Sequence, residues 1–381
     1  MLKISFDSQL LMKGEKTGIG WCAENILHRI PQYHEDLALN CFTLGYNEDQ
    51  FWNVLKYKKL GYKVKTCNWF HDVIYRMLWS IIPIPYSLFF RKESDITIFF
   101  NYVVPPGVKG RKITFVYDMA YKSYPETVRK RTKDMLNMAL KKSCKRADKI
   151  ITISEFSKGE IIRYLGISED KIVVMPCGVD FSKYHPNYTE SEIQIVKKKY
   201  HIQDDYLLYL GTLEPRKNIT RLIEAYAQLK ATNTKLPKLV LAGRKGWMYD
   251  SIFAIVKELQ LEDDVIFTGY IEAKEAPILM KGSLAFLFPS LYEGFGMPPL
   301  EAMACGTPVL VSNTASLPEV VGEAGVYVDP MSIESIREGM KYLMGSEGIR
   351  SDLSSRGLER ARLFSWDRSV EIVNKTIIEL V

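Results

Sequence analysis

Arg216 and Lys217 stand side by side where a strand-like run, 206–211, gives way to a helical run starting near Asn218, whose side chain can cap it. Two adjacent cations beside the positive end of a helix make a strong diphosphate site that needs no magnesium. Alone, such a pair is more often a solvated basic turn. The stretch from Pro289 to Gly306 adds to it. It follows another strand-like run, 284–288; Pro299 suits a first helical position and Gly306 the left-handed stop. Gly294 and Gly296 let the backbone approach a ligand, with N–H groups aimed by the helix start. Glu293 lies before that turn and Glu301 within the helix's first turn. One carboxylate can then reach a sugar while the other reaches ribose hydroxyls, each accepting from vicinal hydroxyls. Taken singly, Glu301 would serve equally as a stabilising charge at a helix start.

Other chemistries lack their residues. The sequence contains no G-x-x-x-x-G-K-[ST], no H-E-x-x-H, no G-x-S-x-G and no Asp-x-Asp, and its five histidines are dispersed. A catalytic divalent metal has no obvious seat. Gly18-Ile19-Gly20-Trp21-Cys22-Ala23 fits the dinucleotide pattern G-x-G-x-x-A. It stands well beyond its strand, however, and lacks the acidic residue that ribose recognition would require about 20 positions on. It reads better as a glycine-rich turn opening a helix over 21–30, still able to present N–H groups to a phosphate.

Each of these groups needs a strand to end and a helix to start at a fixed place. Strand-like runs recur at 2–7, 37–44, 95–100, 113–118, 149–153 and 172–175, then at 206–211, 238–242, 264–269, 284–288, 308–311 and 325–328. Several are continuously apolar, as in parallel sheets covered on both faces, and helical runs such as 218–230 and 332–344 lie between. The chain's 381 residues suit two domains, at 47% apolar and 25% charged. The expected architecture is α/β: residues 1–186 plus 366–381 as one Rossmann-like domain and 187–365 as another. The two would face one another across a cleft, with the final helix crossing back to the first. Residues 1–186 carry a balance of +10 and the remainder −4, which makes up the stated +6. One half is therefore expected to meet something anionic. No apolar run is long enough to span a bilayer; the nearest, 77–90, is broken by Pro83 and Pro85. The opening residues read as a strand rather than a secretory leader. Six cysteines without a C-x-x-C pair suit buried thiols, so a cytoplasmic location is expected.

Together these residues resemble a family 4 retaining glycosyltransferase with the GT-B fold, over nearly the whole length. The resemblance rests on Glu293 and Glu301 as E-x(7)-E with Glu-Gly-Phe-Gly-Met-Pro-Pro-Leu-Glu intact. It rests also on Glu214-Pro215-Arg216-Lys217-Asn218 and on Ser312-Asn313-Thr314-Ala315-Ser316-Leu317-Pro318-Glu319-Val320. Thr17-Gly18-Ile19-Gly20, Ile153-Ser154-Glu155-Phe156-Ser157 and Gly178-Val179-Asp180 add to it. It implies that the second domain holds a nucleoside-diphosphate sugar. Arg216 and Lys217 would hold the diphosphate and Glu301 the ribose. Glu293 would meet the sugar, helped by the main chain of Gly294, Phe295, Gly296 and Met297. Gly211, at the strand's end, would bind the donor as well, Tyr270 and Ile271 would line the base, and Gly18 and Gly20 would close over the phosphates. Where the family often carries His-Asp, this sequence has Tyr117-Asp118. A phenol can hydrogen-bond but carries no charge near neutral pH. Asp118 is then the expected catalytic partner, its alternative being a cap on the segment after its strand.

The implied reaction is hexosyl transfer with retention, catalysed by Asp118, Arg216, Lys217 and Glu293, with no metal or other cofactor. GDP-mannose is the first expected donor and UDP- or dTDP-sugars the second. The acceptor would be a carbohydrate or lipid-linked saccharide in polysaccharide or glycolipid assembly. A GT-B epimerase or phosphorylase and a non-catalytic anion binder are the rival classes. No nucleic-acid recognition motif is present. Docking on an anionic membrane is expected from the basic, helix-like stretch 126–146 and the aromatic segment 69–90, which contains Trp69, Phe70, Tyr75, Trp79, Tyr86, Phe89 and Phe90.

Overall fold

The computed structural model describes residues 1–12, 17–78, 82–90, 94–232 and 235–381. The chain divides into two compact units. One comprises Met1–Ser123, Lys130–Gly178 and Trp366–Val381; the other comprises Tyr124–Arg129 and Val179–Ser365.

The first unit is built on β1 (Lys3–Asp7), β2 (Asp36–Phe42), β3 (Lys63–Cys67), β4 (Ile96–Phe99), β5 (Arg111–Phe115), β6 (Lys149–Thr152) and β7 (Ile172–Val174). These strands are all parallel, in the order β3-β2-β1-β4-β5-β6-β7. The second unit holds β8 (Tyr206–Leu210), β9 (Lys238–Ala242), β10 (Val265–Gly269), β11 (Ala285–Phe288), β12 (Val309–Ser312) and β13 (Gly325–Val328), parallel in the order β10-β9-β8-β11-β12-β13. Every residue of β4, β11 and β12 is buried, as helices on both faces of a sheet require. In each unit the strand order reverses beside the first strand, at β1/β4 and at β8/β11. Doubly wound sheets bind ligands at that point, beyond the carboxyl ends of the strands.

The last helix, Trp366–Ile378, belongs to the first unit. Its Asp367 pairs with Arg29 at 3.1 Å, Ser369 donates to the Pro176 carbonyl at 2.6 Å, and Asn374 Oδ1 lies 2.8 Å from His34 Nε2. All six cysteines are free and buried. Among the described residues no helix is long and apolar enough to cross a membrane.

Four sequence expectations change here. Strand β3 was not anticipated: it is an edge strand in which Lys63, Lys65 and Thr66 interrupt the apolar signal and only Cys67 is fully buried. The helix expected over 21–30 runs Gly18–Arg29 instead. Trp21 N–H already bonds the Thr17 carbonyl, so Gly18 and Gly20 are the helix's first turn rather than a loop before it. The basic stretch is a helix only over Lys130–Arg146, since Val128 is extended after a short turn at Pro125–Thr127. Finally, most of the aromatic segment is core. Tyr75, Tyr86, Phe89 and Phe90 are buried in a ring cluster with Phe42 and Phe99, whereas Trp69 is 58% exposed. Trp79, of the same segment, lies outside the described residues.

Candidate functional site

In the second unit the site begins where β8 ends. Gly211 N–H bonds the Ala242 carbonyl, and Gly243, at φ 141°, presses against it; a Cβ on Gly243 would stand 1.9 Å from the Gly211 oxygen. Glycine is required there both by space and by backbone. The loops after β8 and β9 are thus locked, with Leu213 N–H on the Arg244 carbonyl and Gly246 N–H on that of Leu213.

The 3-10 turn Pro215–Lys217 follows, and it aims both cations at one carboxylate. Arg216 Nη1 donates to Glu293 Oε2 at 2.9 Å and to the Tyr292 carbonyl at 2.7 Å, while its Nη2 donates to Glu214 Oε1 at 2.7 Å. Lys217 Nζ donates to Glu293 Oε1 at 2.5 Å and sits 4.8 Å from the centre of the Phe288 ring. Burial pushes the Glu293 carboxyl up, but Arg216 and Lys217 outweigh it and hold it at about 2. The two cations are matched by two carboxylates. The pair is therefore not the uncompensated positive site that its sequence suggested, because Glu214 and Glu293 fold onto it. Nor does Asn218 act as an N-cap. At φ 60° it lacks the extended backbone of one, and its amide instead ties the Pro289 and Pro330 carbonyls at 3.0 and 2.7 Å.

The loop after β11 is held almost carbonyl by carbonyl. Besides Asn218 on Pro289 and Arg216 on Tyr292, Ser312 Oγ donates to the Ser290 carbonyl at 2.7 Å. Ser316 Oγ lies 2.9 Å from the Glu293 carbonyl and 2.7 Å from that of Phe295. These serines come from the motif 312–320, which begins at the last residue of β12 and which the sequence matched to a family without giving it work. The hydroxyls at alternate positions were a legible signal; their targets were not, because the loop lies some 20 residues away.

The helix carrying Glu301 is Met297–Ala304, so Pro299 is its third residue and Glu301 falls in its second turn, not its first. The charge-at-helix-start reading of Glu301 weakens accordingly, as that effect fades beyond the first turn. Burial raises the Glu301 carboxyl to about 8, opposed by a hydrogen bond from Tyr184 and the charge of Lys183. Gly306 closes the helix at φ 74°. After β10, Tyr270 is 56% exposed with the Arg244 guanidinium 4.0 Å from its ring centre, and Ile271 is buried beside it. Trp247 Nε1 donates to the Thr127 carbonyl at 2.7 Å, with Arg129 over its ring.

The remaining candidates belong to the first unit. Asp118 Oδ1 accepts from Ala120 N–H at 3.1 Å, the local capping bond weighed as its alternative role. Ser154 caps the helix Glu155–Leu165, and Ser157 Oγ donates to the Tyr117 carbonyl. Tyr117, in the family's histidine position, is buried, its hydroxyl lacking a hydrogen-bond partner among the described residues. Burial first, then the thiols of Cys22 and Cys177, raise its phenol well above the usual range. The phenol is therefore neutral near pH 7, and its ring lies against Tyr102 and Phe115 of the same unit. Gly18 has open space around a Cβ, so packing does not demand glycine there. Among the described residues no cluster of three or more His, Cys, Asp or Glu stands ready for a metal.

Arg216, Lys217 and Glu293 thus meet directly, while Glu301, Tyr270 and Gly211 sit on neighbouring elements of the same unit. Residues 191–360 match the family described as Glycosyl transferases group 1, and residues 50–183 match Glycosyltransferase Family 4. The O-antigen chain mannosyltransferase B of Escherichia coli is 36% identical over 270 residues, 70% of this chain and 70% of that protein. The serotype-specific mannosyltransferase WbdA of Escherichia coli is 34% identical over 229 residues, 60% of this chain but only 28% of that longer protein. Among solved structures, Anabaena HepE in complex with UDP-glucose superposes with a TM-score of 0.75 over 100% of both chains at 17% identity. Similarity at that level shows the fold, which is GT-B.

Proposed function

The chain belongs to the family of glycosyl transferases group 1, and we propose that it moves a hexosyl group, mannose first, from a nucleoside-diphosphate sugar to an acceptor hydroxyl with retention at the anomeric carbon. The observation that carries this reading is the junction of Arg216, Lys217 and Glu293 at the β8/β11 switch point. The bond from the anomeric carbon to the diphosphate breaks, and the acceptor oxygen bonds on the same face. The acceptor proton passes to the departing phosphate oxygen. Arg216 and Lys217 then act chiefly as leaving-group charge grows, the charge balance that magnesium supplies elsewhere. Glu293 exchanges partners: diphosphate takes its cations, and the released carboxylate takes the sugar hydroxyls, fixing orientation rather than moving a proton. Glu301 receives the ribose, and Tyr270 with Ile271 the base. Gly18, Gly20 and Asp118 of the first unit enter by resemblance alone.

Mannose is placed first because the named relatives are an O-antigen chain mannosyltransferase and a serotype-specific mannosyltransferase, and the first likeness points to a saccharide acceptor in surface-polysaccharide assembly. A UDP-sugar is the second reading, favoured by the UDP-glucose held in the similar Anabaena structure. The test is a thermal-shift panel of GDP-, UDP-, dTDP- and ADP-sugars in EDTA. One donor should raise the melting temperature by mass action, by about 2.7 kcal/mol of stability at a hundredfold excess over Kd. A flat panel contradicts the reading.

A further inference from the structure

We propose that Ser316 is a positioning residue for the donor, its hydroxyl setting the peptide planes of the loop that receives the sugar nucleotide. The proposal rests on the donor reading above and deepens it. Ser316 is fully buried, and its hydroxyl lies within hydrogen-bond distance of the carbonyls of both Glu293 and Phe295. In a trans peptide the C=O and the following N–H point in opposite directions. Turning those two carbonyls toward Ser316 therefore turns the N–H groups of Gly294 and Gly296 to the other face of the loop. A single hydroxyl orients both amides on which close approach to a phosphate or sugar would depend.

The backbone around Ser316 is arranged for this contact at some cost. Ala315, immediately before it, is held at φ 56°, a left-handed conformation that a residue with a Cβ rarely takes and that persists only where the surroundings impose it. Immediately after it, Leu317 packs against Gly296, where a Cβ would come within 2.8 Å of the Leu317 Cδ2. The segment 315–317 thus meets the loop through a strained residue, a double carbonyl contact and a leucine packed on Gly296, whose φ of 120° disfavours any side chain. A hydroxyl that merely paired two buried carbonyls could do so from an unstrained turn. The conjunction is explained if the orientation of the two amides is what the segment supplies.

The experiment compares Ser316→Ala with Thr307→Val, which removes another buried hydroxyl from a carbonyl, that of Met280 at 2.7 Å, away from the loop. Both variants should lose a few degrees of melting temperature. Only Ser316→Ala should weaken binding of the sugar nucleotide, by about tenfold, and lower kcat/KM with it. Ser316→Thr, which keeps the hydroxyl, should recover most of that loss. Hydrogen exchange on the wild type gives a second readout: the amides of Gly294 and Gly296 should slow when the sugar nucleotide is added. Equal donor affinity in Ser316→Ala and Thr307→Val, or amides indifferent to bound donor, overturns the role of Ser316 alone. A wild type that binds no sugar nucleotide overturns the donor reading and this proposal together.

Discussion

Glu293 is the residue on which the chemistry turns, because it occupies in the resting protein the cations that the diphosphate would need. An ionised carboxylate buried between Arg216 and Lys217 competes with the ligand's own negative charge. Glu293→Gln should accordingly bind the free nucleoside diphosphate about tenfold more tightly while turnover falls by about a hundredfold. Calorimetry and steady-state rates on one preparation check both, and weaker diphosphate binding would mean that Glu293 merely holds the cations in place. Glu301 makes the opposite electrostatic statement. Its carboxyl is raised from 4.5 to about 8 in the ligand-free protein, so the folded state holds a proton that the unfolded state has lost. Its contribution to stability is then present below about 4.5 and lost as pH rises toward 8. Ribose hydroxyls donate better to the ionised form, so donor affinity should rise between pH 6 and 8 and then level off. Glu301→Gln should flatten that profile; an unchanged slope assigns the titration to another group.

At the level of elements, the site is made by loops locked onto strand ends, and the two glycines that matter differ in kind. Gly243→Ala would drive a Cβ into the Gly211 carbonyl from a backbone angle that alanine resists, so it should cost several degrees of melting temperature and disorder the loop before Arg216. Gly18→Ala meets nothing within 4 Å, so the fold should tolerate it and any fall in donor affinity reports on the ligand. A melting temperature that falls equally in both would show Gly18 to be structural. Local patterns made most of this legible. Continuous apolar runs announced β8, β11 and β12, and the Glu293–Glu301 spacing survived a helix starting two residues early. What stayed hidden was set by distant partners. Nothing near Lys63 signals that β3 pairs with β2, and nothing near Asn218 shows that its amide is claimed by Pro289 and Pro330. The charge balance at Arg216 likewise depends on Glu293, 77 positions on.

Across the whole molecule, the basic half, residues 1–186, supplies most of the first unit. Its helix Lys130–Arg146 exposes Lys141, Lys142 and Lys145, although Arg146 is engaged by the Val104 carbonyl. Nearby in sequence to the buried ring cluster, Trp69, Ile74, Met77, Ile82 and Leu88 remain exposed. Exposed lysines on the one segment and exposed apolar side chains on the other are the two features by which the first unit is expected to dock on an anionic leaflet, each basic side chain contributing about 1 kcal/mol near the surface. Co-sedimentation should then be stronger with anionic than with neutral vesicles and should fade with salt; equal binding to both, or none at low salt, removes the idea. The most direct measurement of transfer itself incubates wild type and an Arg216→Ala/Lys217→Ala variant with GDP-mannose and a mannoside acceptor in EDTA, and reads the anomeric configuration of the product by NMR. Metal-free formation of a product retaining the donor's α configuration, abolished in the variant, is the expected result; an inverted product, or transfer that stops in EDTA and returns with manganese, would contradict it.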